Sequence, residues 1–548
     1  MLKSRLLSIA LVLAAACSGG AARTPPADPS PTGRSGGAPE ARETPRPPSG
    51  PFEEVACRLP EPHLRRIWAG YHPGRSGHLQ IVPKPPDVVG AWLSHSGPWR
   101  FVQHVPLLFY GPGHVPEGVR VSRTATLADV APTQAALLDF DFDAPDGEPL
   151  AEAVAGTGRP PKLIVTMIWD SAGMNVLEEH PDAWPTLRRL IERGTFFEET
   201  FVGSSPSVTP AVHATIGTGA FPRNHGIVDL RFRVDGVPTA ARGKAAANLL
   251  TPSLSDLFDV AHDNEPVVGL IGSEGTLGML GHGAFWEGGD SDVAVTRTRT
   301  EWTLEGLNAE AFAFPGYAGG FPGLEEAIRR LDLEDGRADG RWLGEPMDEG
   351  VEGVSATPAF GDYQRSMVRE VIEREGFGRD EIPDLLYVNF REIDAVGHRW
   401  GMHGPQMEAV VRSTDEALGD LVRTLDREVG AGEWVLTMTA DHGATPDPEP
   451  LEGFVIGPQE VRKDIETEFG PIVGDLRVTQ VWLELEEMAE RGVSLQEVAT
   501  FVADYRRSEN ASDPASLSAE QGEERVFGTV FPSAVLDDPP CIITARSG

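Results

Sequence analysis

Asp394 and His398 stand four residues apart in D-A-V-G-H, and Asp441 is followed at once by His442 in A-D-H-G. A carboxylate oxygen and an imidazole nitrogen are donors that suit zinc. On a turn or a first helical turn, Asp394 and His398 can reach one ion. Asp170 adds a third acid. A lone D-x-x-x-H is weak evidence, because solvated acids and helix caps share the pattern. Three acids and two histidines at the ends of apolar runs are harder to read as surface decoration. A hydroxyl-rich stretch, S-P-S-V-T-P-A-V-H-A-T-I-G-T-G at 205–219, lies between them. Ser and Thr cap helices routinely. Beside a base or a metal, however, a hydroxyl can lose its proton and become a nucleophile. Thr209 is the residue we read in that role, with Ser207 as its rival.

The elements that must position these groups are short apolar runs. Residues 101–110, 162–168, 384–390 and 434–440 read as buried strands, and 183–193 and 406–425 as amphipathic helices. A late strand at 478–484 and a helix at 494–505 follow the same logic. Strands alternating with helices predict an α/β fold, a mainly parallel central sheet with helices on both faces. Asp170, Asp394 and Asp441 each fall just after a strand, where such sheets place their active sites. Residues from about 240 to 380 are Gly-rich and less regular, and read as an insertion capping the site.

Among 548 residues, 47 are basic and 83 acidic, for a formal net charge of −36. That argues against binding a nucleic-acid duplex. An anionic substrate would need local positive charge, which bound metal ions can supply. Residues 1–17, M-L-K-S-R-L-L-S-I-A-L-V-L-A-A-A-C, read as a secretory signal. The small residues before Cys17 resemble a bacterial lipobox, which implies lipid on Cys17. The expectation is an exported protein, at the cell surface or in the periplasm, held to the membrane by an N-terminal lipid anchor. Ordinary signal cleavage is the alternative. Residues 18–52 read as a disordered tether, and 53–548 as a single catalytic domain. With Cys17 set aside only Cys57 and Cys541 remain, and in an exported protein they can pair.

The motifs together resemble the alkaline phosphatase superfamily, nearest its type I phosphodiesterase/nucleotide pyrophosphatase group. Asp170 at a strand end, T-P-A-V-H-A-T-I-G-T-G-A-F-P-R-N-H-G-I from Thr209, D-A-V-G-H and A-D-H-G match in that order. The resemblance implies two divalent metal ions, zinc by family habit. One would be held by Asp170, Asp441, His442 and the nucleophile Thr209. The other would be held by Asp394, His398 and one further histidine. His213 and His225, inside the Thr209 motif, are read as structural.

In relatives the last ligand lies after A-D-H-G, yet no histidine follows His442 here. Residues 71–140 resemble the family's C-terminal portion moved to the front. Y-H-P-G-R-S-G-H at 71–78, S-H-S-G-P-W-R-F-V-Q-H-V-P-L-L-F-Y-G-P-G at 94–113 and T-L-A-D-V-A-P-T-Q-A-A-L-L at 126–138 carry that likeness. It implies a circular permutation, with 53–158 as the transplanted segment and His95 as the missing ligand. His104, His78 and His72 are its rivals. Cys57 and Cys541 would then sit beside each other. The function implied is hydrolysis of a small-molecule phosphate ester or nucleotide through a phospho-threonine intermediate. Two departures favour a diester or pyrophosphate over a monoester. The stretch G-S-E-G-T-L-G-M-L at 272–280 lacks the family's basic pair, and Leu230 stands where related enzymes place an asparagine. A phosphomonoesterase, a phosphonate or sulfate-ester hydrolase and a catalytically silent metal-binding surface lipoprotein are the alternatives.

Overall fold

The computed structural model describes residues 44–544, apart from 91–94, 157, 242, 274–276, 286–291, 299–300, 305–306, 348–352, 449–450 and 452. The signal segment with Cys17, most of the tether and part of 272–280 lie outside the described residues.

The strands used below, in chain order, are β1 (Leu79–Pro83), β2 (His104–Tyr110), β3 (Val119–Thr126), β4 (Leu163–Trp169), β5 (Thr195–Phe201), β6 (Val268–Ser273), β7 (Asp292–Thr298), β8 (Asp384–Phe390), β9 (Trp434–Thr439), β10 (Val473–Leu476), β11 (Gln480–Leu483) and β12 (Phe527–Pro532). The central sheet runs β7-β6-β8-β4-β9-β2-β5-β3, with the short strand Glu301–Thr303 at one edge. The pairs from β7 through β9 are all parallel. Every residue of β4, β8 and β9 is buried. Strands covered on both faces need continuous apolar runs, and LIVTMIW and WVLTMT supply them. The sheet is thus α/β and mostly parallel, as the sequence predicts.

β2 is the reversed member, antiparallel to both β9 and β5. Its first residues therefore lie at the same sheet edge as the last residues of β4, β8 and β9. The predicted strand at 101–110 begins later than expected, because Arg100–Gln103 form a helical turn. Gln103 explains the bend. It is fully buried, and its Nε2 donates to the carbonyls of Gly97 (2.9 Å) and Ser204 (2.8 Å). That anchors the loop before β2 to the loop before Thr209. Further on, Gln134 Nε2 donates to Thr166 Oγ1 (2.7 Å) on β4 and Thr437 Oγ1 (2.9 Å) on β9. The early segment is thereby tied into the interior of the sheet.

A second, antiparallel sheet runs β10-β11-β1-β12 and has its own apolar core, including Leu79, Ile81, Val481, Leu483 and Val530. Again an early strand lies between late ones.

Two boundaries need correction. Residues 240–380 do not all stand off the sheet as a cap, because β6 and β7 belong to the central sheet. Their glycines answer to packing. A Cβ on Gly269 would lie 2.7 Å from both Phe377 and Leu386. The tether also ends before residue 52. Arg46 pairs with Glu53 (2.8 Å) and donates to the Asp538 carbonyl (2.7 Å), while Cys541 N donates to the Arg46 carbonyl (2.8 Å). A sequence rich in Pro and Arg reads as solvated spacer, but here the guanidinium finds partners on the far end of the chain. The helix α1 (Pro51–Ala56) follows directly.

The two ends are also joined covalently. Cys57 and Cys541 form a disulfide with Cα atoms 5.8 Å apart, across 484 residues of sequence. For so long a loop the chain-entropy model assigns about 5 kcal/mol, although measured gains are often smaller. Tyr71, Val82, Phe531 and Ile542, from both ends of the chain, share one apolar cluster.

Candidate two-metal active site

Asp170 is the first residue after β4, and Asp441 and His442 follow Ala440 at the end of β9. All three are buried. Asp394 and His398 lie one turn apart on α2 (Glu392–Trp400), which begins two residues beyond β8. The i, i+4 spacing stacks both side chains on one face. His95 arrives from the loop before β2. Thr209 is the first residue of α3 (Thr209–Thr218), which follows β5.

The structure brings these residues together in two groups. In one, His442 Nε2 lies 3.5 Å from Asp170 Oδ1 and 3.3 Å from Asp441 Oδ2. In the other, His95 Nε2 and His398 Nε2 lie 3.5 and 3.3 Å from the same oxygen, Asp394 Oδ1. Each group holds its donor atoms within 4.8 Å of one another. The groups adjoin, since the His95 and His442 rings stack with centroids 3.7 Å apart. Close backbone approach makes this possible. A Cβ on Gly443 would lie 2.1 Å from the Phe101 carbonyl, so the residue after His442 must be glycine for the two loops to touch.

Does this pocket suit cations? Asp170 Oδ1, Asp394 Oδ1 and Asp441 Oδ2 are buried and make no hydrogen bond. They are the very oxygens that face imidazole Nε2 atoms. His442 Nδ1 donates to the Gly443 carbonyl (3.1 Å), so its Nε2 presents a lone pair to two carboxylates. Lone pair against carboxylate is repulsive unless a cation lies between. Burial pulls His95 down to about 3, helped by His442, and His442 down to about 4, so both rings are neutral donors at neutral pH. Burial, then the neighbouring Asp441 and Asp394, push Asp170 up. Burial raises Asp441 as well. Burial also opposes the charge on Asp394, but His398, Arg391 and His95 outweigh it and hold that carboxyl well below the usual range. The donor set therefore fits two divalent ions of the zinc class.

Thr209 Oγ1 lies 3.5 Å from His442 Nε2. Ser207 is turned elsewhere, its Oγ donating to the His95 carbonyl at 3.0 Å. The other histidines have their own partners. His104 Nε2 meets the Glu198 carbonyl (2.8 Å), His78 Nδ1 accepts from Leu483 N (2.9 Å), and His72 Nδ1 meets the Pro73 carbonyl (2.7 Å). His225 bonds Thr215 Oγ1 and Ile227 N, a structural arrangement. His213 is fully buried on α3, and its field is the largest influence favouring charge on Asp441.

Sequence reasoning missed Arg391, whose Nε is 3.4 Å from Asp394 Oδ2, and Ser171, whose backbone N–H donates to Asp441 Oδ1 (3.0 Å). Arg391 was findable: it is the first residue after β8, three before Asp394.

Residues 164–508 match the family model "Type I phosphodiesterase / nucleotide pyrophosphatase". The chain is 24% identical to "Calcium-transporting ATPase" of Myroides odoratus, over 65% of this chain and 78% of that protein. It is 23% identical to alkaline phosphatase PafA of Elizabethkingia meningoseptica, over 65% and 74%. A human ectonucleotide pyrophosphatase/phosphodiesterase family member 7 is 25% identical over 30% of each chain. The crystal structure of alkaline phosphatase PafA superposes with a TM-score of 0.50 at 17% identity, covering 68% of this chain and 84% of that one.

Proposed function

This chain belongs to the type I phosphodiesterase/nucleotide pyrophosphatase family of phosphoric ester hydrolases, and from that premise we propose that it cleaves small phosphodiesters or nucleotide pyrophosphates through a phospho-threonine. The observation that carries this reading is the pairing of two His/Asp groups beside Thr209 at the carboxyl edge of the sheet. Asp170, Asp441, His442 and Thr209 would hold one ion, and Asp394, His398 and His95 the other. When bound, the ions would neutralise the carboxylates, favour ionised hydroxyl and draw charge from the phosphoryl oxygens.

The chain's own residues do the rest. Thr209 Oγ1 attacks phosphorus, the Thr209 O–P bond forms, and the bond to the ester oxygen breaks. Water then attacks phosphorus and the Thr209 O–P bond breaks, returning the hydroxyl. The first turn of α3 presents backbone N–H groups to the anion. His95 and His442, neutral and stacked, hold the two groups side by side. Arg391 steadies Asp394.

The preference for diesters rests on charge. A monoester carries an extra negative charge on the transferred group, and 272–280 has no basic residue to meet it, while Leu230 is exposed where relatives place an asparagine. The alkaline phosphatase names among the relatives favour the second reading, a monoesterase. A panel of aryl phosphate mono- and diesters on zinc-loaded protein separates them. Higher kcat/KM on the diesters is the expected result. Faster monoester turnover selects the second reading, and no turnover on either makes the chain a silent metal-binding protein.

The permuted order is part of the proposal. The family model begins at residue 164, yet the earlier segment supplies β2 and β3 to the same sheet and His95 to the site. So is export with a lipid on Cys17. Cys17→Ser should move the protein from the detergent phase of an extraction to the aqueous phase. Unchanged partition would count against the anchor.

A further inference from the structure

A third cluster of ligand-type side chains closes inside the protein, apart from the paired groups. Asp259 lies on the helix α4 (Leu254–Ala261), His282 in the loop that follows the turn Leu277–Leu280, and Asp292 at the start of β7. One donor atom from each lies within 4.8 Å of the others. All three are buried, with His282 and Asp259 only 2% exposed.

The orientation of these groups is built, not incidental. His282 Nε2 lies 2.6 Å from Asp292 Oδ2, while its Nδ1 lies 3.5 Å from Asp256 Oδ1 and makes no hydrogen bond. Backbone donors fix Asp256 and Asp292. Asp256 accepts from Gly283 N (2.7 Å) and Phe285 N (3.1 Å), and Asp292 Oδ1 accepts from Val268 N (2.6 Å). The ring is thus framed by two acids whose other contacts are already set. The charges that bear on His282 are Asp292, Asp256 and Asp259, all negative.

We propose that Asp259, His282 and Asp292 bind a third divalent metal ion, of the class that accepts imidazole with carboxylate, as a structural site. An imidazole among the donors argues for zinc over calcium, which takes oxygen ligands. With an ion on Nε2, the Nδ1 proton turns to Asp256, giving the carboxylate–histidine–metal relay that commonly orients such ligands. The ion would replace the proton now shared between His282 and Asp292. Its place in the fold suggests its use. It would join α4 to the edge of β7 and brace the turn Leu277–Leu280, which packs against α3, the helix that begins with Thr209. The inference rests on none of the catalytic reading.

The test strips the full chain with a chelator, reloads it with zinc, removes excess and counts metal by mass spectrometry. His282→Gln should hold one ion fewer than the parent and show a smaller zinc-dependent rise in Tm. A folded His282→Gln that holds as many ions as the parent overturns the site, whatever the parent's total. If the variant does not fold, Asp259→Asn is counted in its place: one ion fewer than the parent supports the site and an equal count refutes it.

Discussion

Thr209→Ala is expected to remove nearly all phosphoric ester hydrolysis while zinc stays bound. The side chain sits at the start of α3, 3.5 Å from His442 Nε2, and no other described hydroxyl of the 205–219 motif is so placed. Losing the attacking atom should cost at least about a thousandfold in kcat, or about 4 kcal/mol of barrier. Thr209→Ser should recover part of the rate, because it restores an oxygen at the same position. Ser207→Ala removes only the hydrogen bond to the His95 carbonyl, about 1 kcal/mol of local stability, and should keep most activity. Zinc content, circular dichroism and initial rates on one aryl diester check the set. An active Thr209→Ala beside a dead Ser207→Ala would assign the nucleophile to the other residue.

The second large effect belongs to His95. In His95→Ala, Asp394 and His398 are left alone to hold an ion, two donors where zinc sites use three or four protein ligands. Zinc should fall toward one fewer ion per chain than the parent, and turnover should drop steeply. His104→Ala is the control. Its Nε2 is engaged with the Glu198 carbonyl on β5, so removing it should leave the metal count unchanged. Metal loss from His104→Ala with none from His95→Ala would dismantle both the second ion's ligand set and the case for a permuted chain.

How much of this could be read beforehand follows from physical range. β4, β8 and β9 are buried on both faces, so their apolar runs announce them, and Asp170 and Asp441 stand at their ends. The i, i+4 pair Asp394 and His398 needed only one helical turn. His95 could be named only through a resemblance. Its place depends on β2 running against its neighbours, and strand direction leaves no mark on hydropathy. β6 was masked by its glycines, Gly269 making room for Phe377 and Leu386 and Gly272 for Asn389. Arg46 looked solvated because its partners, Glu53 and Asp538, flank a contact between opposite chain ends. His282 was passed over for the same reason: Asp259 and Asp292 are 23 and 10 residues away, and no motif spacing links them.

The bond between Cys57 and Cys541 has a topological consequence. It turns nearly the whole folded chain into a covalent ring, whose ends are defined only by where the backbone happens to be open. A protease cutting once between the two cysteines would not release a fragment. It would linearise the ring at a new place. A nick beside the exposed Gly156 or Gly158 would leave a molecule that starts just before β4, runs through Thr209, Asp394 and His442, crosses the sulfur bridge, and reaches His95 last. That is the ligand order the proposed permutation assigns to an unpermuted relative, reached by one hydrolytic event without rearranging a single residue in space.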